Sequence, residues 1–80
     1  MFYKVRFVEP LADFTLLVHF QNGEQKRYHV APLFDKWESF RALHTIAGLF
    51  EQVKVDAGGY GISWNDEIDL ACNELYLSGI

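Results

Sequence analysis

The sequence predicts a small α+β fold: an antiparallel sheet in the order β-β-β-α-β-β with a short terminal helix, and the main helix packed on one face. Three observations predict it. Apolar and polar residues alternate through Tyr3–Val8, Phe14–Phe20 and Gln25–Val30, the period of a half-buried strand. Trp37, Phe40, Leu43 and Ala47 recur instead at steps of three and four residues, the period of a helix face. The loops between the strand-like segments are too short for the crossovers that parallel strands need.

The first strand carries Tyr3, Val5 and Phe7 on one face and Lys4 and Arg6 on the other, and Glu9-Pro10 closes it. Phe14, Leu16, Val18 and Phe20 share a face of the second strand. In the third, Lys26, Tyr28 and Val30 alternate against Gln25, Arg27 and His29. An Asn-Gly pair between strands ordinarily gives a two-residue type I′ turn, but that register sets Phe20 opposite Gln25 and Leu16 opposite His29. A three-residue loop, Gln21-Asn22-Gly23 with a left-handed Gly23 as a bulge, pairs Leu16 with Tyr28 and Phe14 with Val30. Because a one-residue slip turns every side chain to the wrong face, core burial selects the second register.

Pro32 closes the third strand, and Asp35 with Glu38 makes a capping-box-like start to the main helix. Its face of Trp37, Phe40, Leu43 and Ala47 is expected to pack on Phe14, Leu16 and Val18, with Gly48 as a left-handed stop. Phe50, Val53 and Val55 have strand character, Gly58-Gly59-Tyr60-Gly61 breaks the chain, and Ile62-Ser63-Trp64 returns as a second hairpin. Asn65-Asp66-Glu67 reads as a tight turn before a short strand at Ile68 and Leu70. Cys72 to Ser78 holds about two helical turns before Gly79.

Eighty residues are expected to form one domain, 1–80, around one core. Such a short chain buries little surface unless its side chains are large. Here half the residues are apolar and 16% are aromatic, and each buried aromatic removes roughly 150–250 Å² from water. One cysteine, Cys72, makes no internal disulfide, and no signal-like segment opens the chain, so a cytoplasmic setting is expected. No apolar run approaches the roughly 20 residues of a membrane span. Six of the seven Lys and Arg precede residue 42, whereas from Glu51 onward six acids face Lys54 alone. That stretch repels nucleic acid, and it serves either solubility or the docking of a partner.

No catalytic, metal or cofactor constellation is expected. His19 and His29 fall on polar positions of paired strands, opposite Gln25 and Thr15, while His44 lies on the helix, so they do not share a metal. Cys72 reads as a structural thiol. The glycine run lacks the Gly-Lys-Ser/Thr ending of a phosphate loop and leads into a strand, so it is a turn. Asp66, Glu67 and Asp69 offer oxygens but not the convergence of a calcium loop, and Asp69 suits an N-cap for the terminal helix. Trp64 and Tyr76 read as core-edge residues whose N–H and O–H reach a polar partner, or else as exposed contacts for another protein.

Several blocks carry a resemblance: Val18-His19-Phe20 with Asn22-Gly23-Glu24; Phe40 and Leu43 followed by Phe50, Val53, Val55 and Asp56; and above all Gly61-Ile62, Trp64, Asp66 and Ile68-Asp69-Leu70 leading to Leu75-Tyr76. With these the chain resembles, over nearly its whole length, a family of small bacterial proteins classified as a domain of unknown function. Members of that family stand alone or precede a helix-turn-helix. The sequence departs at Asn65, where the family often has Pro, and at Glu67, where Gly is frequent. The resemblance implies the α+β fold, no established enzyme activity, and gene pairs similar to toxin–antitoxin modules, in which this chain is the antitoxin. In longer members the helix-turn-helix follows the position that corresponds to Ile80, so direct DNA binding by residues 1–80 alone is not expected.

Two functions are therefore weighed. The first is a non-catalytic protein-interaction module, an antitoxin-like or regulatory subunit, with Trp64, Asp66, Glu67, Asp69 and Tyr76 as candidate partner-binding residues. The second is a small enzyme or ligand-binding protein with a site near Trp64, Asp66, Asp69 and Tyr76, which a concave pocket holding a carboxylate with a raised pKa would favour. Docking or self-association as a dimer is expected at a strand edge or on the acidic surface, since neither Pro10 nor Pro32 is read as lying inside a strand to guard an edge.

Overall fold

The computed structural model of the chain describes residues 3–80. It contains two three-stranded antiparallel sheets in place of the one expected. The first joins β1 (Val5–Leu11), β2 (Thr15–Phe20) and β3 (Gln25–His29); the second joins β4 (Lys54–Val55), β5 (Gly61–Asn65) and β6 (Ile68–Ala71). β4 lies beside β1, but the two form no ladder, so the α+β class holds with the sheet divided.

The hairpin between β2 and β3 has the predicted register, with Leu16 opposite Tyr28. Phe20 N–H donates to the Glu24 carbonyl, Gly23 N–H donates to the Phe20 carbonyl, and Gly23 is left-handed at φ 92°, which is the bulged three-residue loop. Val30 N–H donates to the Phe14 carbonyl and fixes the same phase at the far end.

β1 departs from simple alternation. Its register slips between Val5, opposite Phe20, and Phe7, opposite His19. This bulge at Arg6 turns Phe7 away from the core, where it is 39% exposed, and turns Val8 inward. Phe7 instead stacks on His19 at 3.8 Å between ring centroids. Pro10 does not end the strand but pairs with Leu16 inside it. The phase of the β2–β3 ladder directs the backbone groups of Leu16 toward Tyr28, so the missing Pro10 N–H costs no ladder bond. The β1–β2 turn is a single 3-10 turn at Ala12–Phe14 in which Asp13 and Phe14 adopt positive φ, so Phe14 precedes β2 and is not part of it.

The expected main helix is broken. A four-residue helix α1 (Leu33–Lys36) ends where Trp37 turns extended (φ −127°, ψ 121°), a 3-10 turn spans Glu38–Arg41, and α2 covers Ala42–Thr45. Pro32 occupies the N-cap position of α1 with no side-chain cap, so Asp35 and Glu38 form no capping box. Gly48 is left-handed, but it lies beyond the end of α2 at Thr45. Short helices are marginal in water, and Trp, Ser, Phe, His and Thr add little propensity, so burial decides the path. The break seats Phe34 edge-on to Phe14 at 5.1 Å and, beyond it, Phe40 edge-on to Trp64 at 6.0 Å. Phe40 and Leu43 are buried as expected, but Ala47 is exposed and Trp37 is 52% exposed.

Phe50–Gln52 is a 3-10 turn rather than the start of a strand. β4 and β5 form the second hairpin, and the Asn65 side-chain oxygen accepts from the N–H groups of Glu67 and Ile68 in the turn before β6. The last helix, α3 (Cys72–Ser78), begins after Ala71 with no side-chain cap, so Asp69 is not its N-cap but a β6 residue opposite Ser63. Cys72 and Leu75 bury α3 into a core cluster that both sheets share. No helix among the described residues is long and apolar enough to cross a membrane.

α3 is also fastened along β3 by polar bonds at every second residue. The Tyr76 hydroxyl donates to Glu24 (2.6 Å), the Lys26 ammonium to the Tyr76 carbonyl (2.8 Å) and the Tyr28 hydroxyl to Glu74 (2.8 Å). Arg27 and Ile80 then exchange both backbone bonds, at 2.8 and 2.9 Å. The outer edge of β3 is thus covered at its midpoint by the chain itself, a guard against edge pairing that the sequence did not reveal.

Candidate functional site

The break at Trp37 has a consequence for the surface. Because α1 and the following turn diverge there, a half-open groove of about 400 Å³ lies between them and the strand–helix corner of β6 and α3. Leu33 and Phe40 supply apolar surface from one side, Leu70 and Ala71 from the other, and Tyr28 reaches it from β3. Trp37 and Lys36 form one lip, with the Lys36 ammonium 5.6 Å from the centre of the Trp37 ring. Glu67 in the turn before β6, Asp69 on β6 and Glu74 on α3 line it as well.

Three carboxylates against one ammonium give the groove a formal charge of −2. Glu74 is oriented by the Tyr28 hydroxyl. Burial, and then that hydrogen bond to a carboxylate, push the Tyr28 phenol well above its usual range, so it remains a donor. Among the described residues Glu67 and Asp69 have no Lys or Arg within ion-pair distance.

The structure disperses the five candidate residues. Glu67 and Asp69 line the groove, whereas Asp66 is exposed at the turn but does not line it. Trp64 is buried, 5% exposed, and its indole N–H donates to the Phe50 carbonyl at 2.9 Å, so it presents no contact surface. Tyr76 lies on the β3 side of α3, stacked on Tyr3 at 3.7 Å with the Lys26 ammonium 4.0 Å from its ring centre. Its hydrogen bond to Glu24 raises the Tyr76 phenol above its usual value. Both aromatics thus follow the core-edge reading. Lys36, Trp37 and Glu74 were not among the candidates. The signal for them was the weak helix formers Trp37, Ser39 and Phe40 around Glu38, which make a continuous helix dependent on burial.

The three histidines are scattered. His19 stacks on Phe7, the His29 ring nitrogen lies 3.2 Å from the Thr15 hydroxyl, and His44 stacks on Phe34. Among the described residues no three His, Cys, Asp or Glu side chains converge as a metal would require. Cys72 is buried at the start of α3.

Comparison with known proteins gives one finding. The model of a family described as protein of unknown function (DUF2442) matches residues 5–80. No curated protein and no solved structure gives a significant match.

Proposed function

We propose, from the premise that this chain belongs to the DUF2442 family of proteins of unknown function, that it is a protein-interaction module whose docking surface is the groove beside Trp37. The observation that carries the reading is the half-exposed Trp37 on the lip of a concave, apolar-floored surface. Tryptophan is the residue most enriched among those that dominate binding energy at protein interfaces, and an indole held half out of the core loses water when a partner covers it. The module acts by occupancy rather than chemistry, and the role we assign is a regulatory or antitoxin-like subunit of a bacterial, cytoplasmic pair.

A second reading, a small enzyme or ligand-binding protein, is supported only by the concavity beside Asp69, the one of the four residues weighed for it that lines the groove. A photo-crosslinking residue at position 37 separates the two. Co-expressed with the product of the adjacent gene, the chain is expected to crosslink from position 37 and not from Asn22 in the β2–β3 loop. Crosslinking from neither position, with a small metabolite retained through purification, would favour the ligand site instead.

A further inference from the structure

We propose that the groove receives an arginine side chain of the docked protein, its guanidinium lying on the Trp37 indole and facing Glu67 and Asp69. The inference rests on the docking role above and names the chemistry that fills it. The first ground is charge. Two carboxylates with no Lys or Arg within ion-pair distance among the described residues line the groove from β6 and the turn before it, and the one Lys or Arg in the lining, Lys36, comes from α1 beside Trp37. A cationic guest is therefore attracted, and an acidic one is repelled.

The second ground is shape. A flat, half-exposed indole faces a cleft floored by Leu33, Phe40 and Leu70, so the guest needs an apolar stem and a planar charged head. Arginine has both: its methylenes cover apolar surface, its guanidinium stacks on aromatic rings, and its paired N–H groups fit carboxylates two at a time. A lysine ammonium satisfies the charge but not the planar stacking. Lys36 already approaches the ring at 5.6 Å, so the ring face is reachable by a cation, and the guest must displace or tolerate that ammonium. Lys36 is therefore an opponent of binding rather than a contributor.

The test uses the full chain, labelled with nitrogen-15, titrated with a capped five-residue alanine peptide carrying one central arginine, and with its citrulline and lysine counterparts. The arginine peptide is expected to move groove amides and the Trp37 indole N–H, and to bind about tenfold more tightly than the citrulline peptide, which keeps the shape and loses the charge. Asp69→Asn, an exposed substitution whose fold is checked by circular dichroism, should weaken binding about fivefold, and Lys36→Gln should tighten it. Binding should also weaken as salt is raised from about 50 to about 300 mM. Equal binding of the citrulline peptide, or no movement of groove amides with the arginine peptide at about 10 mM, would overturn the proposal. The two readings fail separately. If the co-expressed partner still crosslinks from position 37 but Asp69→Asn leaves its affinity unchanged, docking stands and arginine recognition falls. If crosslinking at 37 fails as well, both fall.

Discussion

Trp37 and Phe40 are both aromatic, both on the expected helix face, and only three positions apart, yet they have opposite fates: one is 52% exposed and the other 5%. Their spacing reads the same whether the helix is continuous or broken, so the sequence could not separate them. The difference is measurable. Phe40→Ala should cost about 3–5 kcal/mol, whereas Trp37→Ala should stay within about 0.5–1 kcal/mol, both read from urea midpoints. A continuous helix would make both substitutions costly. Tyr28 gives a second test. Its phenol is raised above the ordinary value of 10.0 by burial and by Glu74, so the stability it contributes is fully present below that value and declines as pH rises beyond it. The urea midpoint should therefore drop as the pH is raised above about 10, and Tyr28→Phe should flatten part of that drop. An unchanged slope in the variant would show that the hydroxyl is solvated.

At the scale of elements, the β2–β3 hairpin was legible because only one register sets Tyr28 and Val30 on the face that carries Leu16, Val18 and Phe20, and loop chemistry agreed with it. The bulge at Arg6, the extended Trp37 and the separation of the sheets were not legible. Each depends on what the far side of the molecule presents, and alternation along one segment carries no such information. The candidate groove was the least legible: Glu67 and Asp69 of its lining were singled out through their charge, whereas Lys36, Trp37 and Glu74 needed the break and the α3 corner to bring them into one groove. Two glycines test the loops. Gly23 has φ 92° and open space around a notional Cβ, so Gly23→Ala should cost only the conformational penalty of about 1–2 kcal/mol. At Gly59, with φ 77°, the same Cβ would stand 2.5 Å from the Val5 carbonyl oxygen, so Gly59→Ala should cost more and loosen β1. Equal thermal shifts for the two variants would contradict this placement. The α3 fastening predicts in turn that Ile80→Pro, which deletes one of its reciprocal bonds to Arg27, speeds hydrogen exchange at the Arg27 amide.

At the scale of the whole molecule, charge and cover assign different tasks to different surfaces. The β3 edge is occupied at Arg27 by Ile80, and a two-fold pairing of that edge with its own copy would bring Lys26 and Arg27 close to their counterparts. The free chain should therefore sediment as a monomer at micromolar concentration and form a complex only with a partner that enters the groove. A dimer that persists at high salt would point to another surface. The groove itself is best tested by fluorescence quenching, because one tryptophan is buried and the other stands on its lip. The part of the emission lost in Trp37→Phe should be red-shifted, open to acrylamide, and quenched more strongly by caesium than by iodide, since the carboxylates of Glu67 and Asp69 gather cations beside the ring. A lost component that is blue-shifted and shielded from all three quenchers, or one quenched more by iodide, would contradict a Trp37 exposed over an acidic groove.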